Sequence, residues 1–195
     1  MRSVFFSLAF LSPLCYTEFM DYKTLYEKNA AWFNARPRFK RILLLLNTLL
    51  PYLFILLFAG TLVVIALVAN NPLSREELAV FIAQPATALL IVSALRLFIA
   101  RPRPYAEDGA QICPLVKKTS GSDSSCPSRH VTSAVSISLA LLSISIPLGI
   151  FALCLAFGLA YIRFAVGVHY PSDLALGASI AFFSYAAYTI VLAIL

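Results

Sequence analysis

The chain has 195 residues, of which 61% are hydrophobic and 12% charged. A soluble domain of ordinary composition is roughly 45–50% apolar and about 25% charged, so too little polar side chain remains here to cover a water-facing surface, and a separate soluble catalytic domain is excluded. The net charge of +6 is not gathered into one basic tract interleaved with aromatics, so it suits anionic lipid headgroups and gives no reason to expect nucleic acid.

At about 20 residues per helical crossing, and with room left for polar loops, the composition predicts an all-α fold. We expect a polytopic membrane helix bundle of five to six transmembrane helices with an interfacial N-terminal helix, forming one membrane-embedded domain over residues 1–195. Ser3–Tyr16 is a short apolar run behind Met1-Arg2. It reads as a signal-like segment, a short first span, or sequence upstream of a start at Met20, and it lacks a small-x-small cleavage pattern. From Asp21 to Ala35, Tyr22, Leu25, Tyr26, Trp32 and Phe33 recur at helical spacing among Lys23, Glu27 and Lys28, the pattern of a helix lying in the interface.

A basic stretch, Arg36 to Arg41, precedes the uncharged run Ile42–Ala69, long enough to span with some tilt and a bend at Pro51. Asn70–Arg75 reads as a turn and Glu76–Ala100 as the next span, stopped by Arg101-Pro102-Arg103-Pro104 because proline lacks a donor and disfavours helical geometry in the residue before it. Tyr105–Cys126 is polar and reads as a loop. Val131–Ile162 holds 32 uncharged residues, about 48 Å as one helix and too long for a level crossing. Pro147 and Gly149 therefore divide it into Val131–Ser145 and Leu148–Ile162, joined by a tight turn. Leu174–Leu195 is the last span.

The four cysteines show no C-x-x-C spacing, and two histidines are too few for a multi-histidine metal centre. Cys15 and Cys154 read as packing residues. Cys113 and Cys126 flank one loop, and a bridge between them would require an oxidising compartment.

Between Arg129 and Leu195 the only charged side chains are Arg129, Arg163 and Asp173, accompanied by His130 and His169, the only histidines in the chain. Ionisable groups beside lipid are costly, so such a set is read first as functional. If the spans alternate in direction, the ends carrying Arg96 and Arg103, Ser128–His130, and Arg163–Asp173 meet at one membrane face. Always-ionised guanidinium groups present planar forks of donors matched to phosphate oxygens, and no carboxylate cluster is available to hold magnesium, so the expected ligand is a phosphate bound without metal or other cofactor. Pro127 as first residue of a helix would leave the backbone donors of Ser128, Arg129 and His130 free to face an anion. His169 and Asp173 stand four apart, so Asp173 can fix the imidazole tautomer and leave the other nitrogen as nucleophile toward phosphorus, with His130 as general acid.

At these residues the sequence resembles the type 2 phosphatidic acid phosphatase family of integral membrane lipid phosphatases, whose motifs are K-x6-R-P, P-S-G-H and S-R-x5-H-x3-D. Arg96-x6-Arg103-Pro104, Pro127-Ser128-Arg129-His130 and Arg163-x5-His169-x3-Asp173 match them in order. A register through Arg101 would put Ala94 at the basic position, leaving Arg101 as a structural or headgroup contact. Arg96 replaces lysine, Arg129 replaces glycine, and Ile162 stands at the serine.

The resemblance implies that His169 becomes a phosphohistidine, Asp173 orients it, His130 protonates the leaving group, and Arg96, Arg103, Ser128, Arg129 and Arg163 hold phosphoryl oxygens. It further implies a membrane lipid substrate and a site facing the outside of the cytoplasmic membrane. Parity places Arg36–Arg41, Lys117 and Lys118 on the site's side, against the positive-inside tendency. Small size and the additional Arg129 favour undecaprenyl pyrophosphate, with phosphatidate or phosphatidylglycerophosphate as alternatives. A non-hydrolytic lipid-phosphate transporter, a vanadate-binding haloperoxidase and an inactive scaffold are the rivals from other classes. Nothing in the sequence sets the oligomeric state.

Overall fold

The computed structural model describes residues 12–67, 74–99, 101–106, 112–116 and 124–194. Six helices follow in order: α1 (Ser12–Asn34), α2 (Pro37–Leu67), α3 (Arg75–Phe98), α4 (Arg129–Ile144), α5 (Ile146–Ala165) and α6 (Pro171–Ile194). Within them Pro37–Leu67, Glu77–Phe98, Ile146–Ala165 and Pro171–Val191 are long and apolar enough to cross a membrane. The protein is thus a polytopic helical bundle. α4 has 16 residues, about 24 Å, and is the buried centre of the bundle. Its residues from Val131 to Leu141, Ser133 apart, are buried, and it packs on α2, α3, α5 and α6.

The outer helices are apolar all round, as a membrane requires. Leu56, Leu97, Phe98 and Ile194 point outward and are 68–84% exposed, while Leu141, Ala152, Leu159 and Ala181 pack inside. α3 starts where Ser74 caps it. The Ser74 hydroxyl accepts from the Glu77 N–H at 3.1 Å and the Glu77 carboxylate accepts from the Ser74 N–H at 2.8 Å, satisfying two otherwise unpaired donors. α2 continues through both the basic stretch and Pro51.

The long uncharged run divides as expected but by a different device. Ser145 alone separates α4 from α5, with Pro147 at the start of α5. Gly149 makes no turn; it lies inside α5, where an added Cβ would fall 2.3 Å from Leu142 Cα. Its role is to let the two antiparallel helices touch backbone to backbone just after they reverse.

Of the apolar residues expected on the interfacial helix, Tyr22, Tyr26 and Phe33 are buried, whereas Leu25 and Trp32 are exposed. The buried face docks on the loop between α5 and α6. Tyr22 stacks on Tyr26 and meets Tyr170 at 5.0 Å between ring centroids, and the Tyr26 hydroxyl donates to the Cys113 carbonyl at 2.8 Å. Cys113 and Cys126 are both free, so no bridge joins them. Burial pushes the Cys126 thiol up to about 12, which keeps it protonated and unreactive. Ser3–Leu11, the first part of the N-terminal apolar run, lies outside the described residues.

Candidate active site

α2, α4 and α6 begin, and α3 and α5 end, at one end of the bundle, and the eight side chains singled out in the sequence all belong to that end. The loop entering α4 is fastened to the end of α3. The Ser125 N–H donates to the Arg101 carbonyl at 2.8 Å, its hydroxyl to the Pro102 carbonyl at 3.0 Å, and the Ser124 hydroxyl to the Ile99 carbonyl. Arg96 Nη1 donates to the Pro127 carbonyl at 2.9 Å, bracing the same entry from α3.

This fastening shifts the helix start. Pro127 follows a cis peptide and lies before the helix, Ser128 is the N-cap, and α4 begins at Arg129. The Ser128 N–H is also not free for an anion, because it donates to the Asp173 carbonyl at 3.1 Å. The backbone donors left at this helix start are therefore those of Arg129 and His130, joined by the Ser128 hydroxyl, which makes no cap. Gly177 allows α6 to lie directly against this turn: a Cβ there would be 2.9 Å from both the Ser128 carbonyl and Thr132 Oγ1.

His169 is carried on the short connection from α5 to α6. Gly167, with φ of 82°, makes the reversal that an L side chain resists, and Tyr26 packs over it. The His169 imidazole is buried, with Nε2 3.5 Å from Ser128 Oγ and Nδ1 3.6 Å from Asp173 Oδ2. The second distance exceeds a hydrogen bond, and among the described residues Nδ1 has no hydrogen-bond partner. Burial holds this imidazole below its ordinary value, Arg103 and Arg163 act in the same sense, and Asp173 opposes them. The ring is consequently neutral near pH 7, the state a nucleophile needs.

Asp173 is fully buried and is placed by groups other than His169. Oδ2 accepts from the Tyr170 N–H at 3.0 Å and Oδ1 from Arg101 Nη1 at 3.1 Å. Arg101 also donates to Ser172 Oγ at 2.7 Å and lies 4.0 Å over the Tyr170 ring. Arg101 thus makes structural contacts to Asp173, Ser172 and Tyr170, the first of the two roles its position allowed.

The remaining cations surround the open side of His169. Arg103 and Arg163 are within electrostatic reach of one another, of His169 and of His130. Their Nε atoms are buried, and among the described residues neither has a hydrogen-bond partner. Arg129 and His130 lie at the exposed margin. Two depressions reach His130. One, about 310 Å³, is lined by Arg129, His130, Pro51, Phe54, Leu89 and Ile137; the other, about 330 Å³, by Asn47, Thr48, Tyr52, Arg163 and His130 among others. Among the described residues no three His, Cys, Asp or Glu side chains come together as a set able to hold a metal ion. Arg103, Arg163, the start of α4 and a neutral imidazole lie close together, with Arg129 beside His130 at the margin, an arrangement chemically suited to attack on an oxyanion.

Comparison with known proteins agrees with this geometry. The profile of the PAP2 superfamily matches residues 77–193. This chain belongs to the PAP2 superfamily. Two crystal structures share the PAP2 fold. One is LpxE from Aquifex aeolicus, with a TM-score of 0.63 and 23% identity over 85% of this chain and 93% of that one. The other is a transmembrane PAP2 type phosphatidylglycerolphosphate phosphatase from Bacillus subtilis, with a TM-score of 0.56 and 18% identity over 92% and 94%. No curated protein matches the chain. The matched region contains all three motifs and leaves out α1 and α2. Asn47 on α2 is a lining residue that the motif reading did not find; the available signal was its solitary amide within an apolar span.

Proposed function

We propose that this chain is a metal-independent lipid phosphatase of the cytoplasmic membrane, with its site on the extracytoplasmic side, working through a phosphohistidine. The observation that carries the reading is His169, neutral and buried, with Nε2 3.5 Å from Ser128 Oγ and within electrostatic reach of Arg103 and Arg163, whose buried Nε donors have no hydrogen-bond partner among the described residues. Clustered buried cations without a carboxylate partner are costly unless an anion completes them.

In the first step Nε2 forms a bond to phosphorus as the bond from phosphorus to the leaving oxygen breaks. The electron pair goes to that oxygen, which takes a proton from His130, an imidazolium once the bound phosphate anion has offset the arginines around it and brought the proton in. The Nδ1–H of His169 is held toward Asp173, the 3.6 Å gap closing as the imidazole gains charge. In the second step water forms the new bond to phosphorus, giving its proton to the now neutral His130, while the bond from nitrogen to phosphorus breaks and its electron pair returns to His169. The arginines, Ser128 and the α4 backbone donors hold the transferring oxygens throughout.

For the substrate we favour undecaprenyl pyrophosphate. Arg129 stands with His130 in a groove whose other walls are Ser133 and the apolar Pro51, Phe54, Ile55, Leu89, Ala134 and Ile137. A second phosphate attached directly to an apolar chain fits that combination of groups. Phosphate release from polyprenyl pyrophosphate, phosphatidate and phosphatidylglycerophosphate in the presence of chelator tests this. The highest kcat/KM is expected on the pyrophosphate, with the preference reduced in Arg129→Gly. Preference for either monoester would replace the substrate assignment, and binding of all three without phosphate release would favour a transporter.

A further inference from the structure

We infer that Asn47, from outside the three motifs, is the positioning residue for His130, orienting the imidazole that gives its proton to the leaving oxygen. Asn47, His130 and Arg163 line the same depression of about 330 Å³. Asn47 Oδ1 is buried in the apolar part of α2, and among the described residues it has no hydrogen-bond partner. The main chain adds to the unmet acceptor capacity at this position, because Pro51 has no N–H with which to bond the Asn47 carbonyl. The neighbouring Thr48 is already engaged, donating to the Leu44 carbonyl at 3.2 Å.

His130 has the complementary need. His169 has a carboxylate to fix its tautomer, whereas the groups acting on His130 are Arg103 from the loop after α3, Arg129 on its own helix, Arg163 on α5 and His169 before α6, all cations or potential cations. A carboxylate at this place would compete for the arginines that hold the phosphoryl group. A neutral amide oxygen accepts one imidazole N–H, leaves the other nitrogen directed to the substrate, and draws no guanidinium out of the cradle. The depression holds two further donors, Arg163 and the Tyr52 hydroxyl; were Asn47 to serve Arg163 instead, it would act on the phosphoryl group and not on the leaving oxygen.

The inference rests on the proposed role of His130, and the test separates the two. p-Nitrophenyl phosphate releases a stabilised anion that needs no proton, whereas a lipid alkyl phosphate releases a poor leaving group. Asn47→Leu, of similar size but without an acceptor, is expected to lower kcat on lipid phosphate on the order of 10- to 100-fold, with KM little changed. The pre-steady-state burst of nitrophenolate should stay within about threefold of the unmodified enzyme. Asn47→Gln, which keeps a neutral amide oxygen, should retain most of the lipid activity. His130→Ala should show the same dependence on leaving group, more strongly.

An equal loss on both substrates in Asn47→Leu, or no loss on lipid phosphate, would overturn the role of Asn47 while leaving His130 as the acid. Loss of lipid activity in Asn47→Gln as large as in Asn47→Leu would do the same. Absence of leaving-group dependence in His130→Ala would overturn the proton-donor assignment itself.

Discussion

His169→Ala is expected to lower phosphate release from every lipid phosphate by on the order of 10⁴-fold or more, with KM changed far less. The imidazole is neutral and within electrostatic reach of Arg103 and Arg163, and its Nε2 is 3.5 Å from Ser128 Oγ at the start of α4. Removing it leaves the oxyanion cradle in place, so lipid still binds but no group remains to form the covalent intermediate. The loss should be read against a binding measurement in the same detergent. The fold is retained in this variant, because Asp173 keeps its bonds to Arg101 and the Tyr170 N–H. Activity within about tenfold of the unmodified enzyme would show that water attacks phosphorus directly.

Arg101→Leu is expected to destabilise the bundle by about 3–5 kcal/mol, the largest effect on stability at the site. Asp173 is wholly buried, and the Arg101 side chain is 16% exposed. The guanidinium also bonds Ser172 and covers the Tyr170 ring, so its removal leaves a buried carboxylate facing an apolar side chain. The shift in the midpoint of unfolding in detergent measures it. Combining the change with Asp173→Asn removes the unpaired charge and should recover part of the loss, a coupling that the double variant reads directly. A change under about 1 kcal/mol in Arg101→Leu would mean that Asp173 is held without its arginine.

Scarcity of charge made most of this protein legible in its sequence. In a chain where the last 67 residues hold three charged side chains and two histidines, each ionisable group stands out, and span parity alone carries Arg96, Arg103, Ser128, Arg129, His130, Arg163, His169 and Asp173 to one face. Apolar runs marked α2 to α6 for the same reason. What the sequence concealed depends on contacts between distant segments. The start of α4 moved from Pro127 to Arg129 because Ser124, Ser125 and Arg96 fasten the entry loop to α3. The Ser128 N–H is taken by a carbonyl 45 residues away. Gly149 looked like a turn residue, and its need for space is visible only once Leu142 lies across from it. Arg101 has the same composition signal as Arg103 two residues on, and only its bonds to Ser172 and Asp173 separate anchor from cradle. Which face of α1 is buried was likewise undecided until Tyr22 and Tyr26 met the loop that carries His169.

The nucleophile is tested most directly by rapid acid-free quenching of the enzyme with lipid carrying a labelled terminal phosphate, followed by peptide mapping. A label bound to His169, lost in acid and stable in base, is the predicted result. A label on another residue, or none at any time while phosphate is being released, would contradict the phosphohistidine.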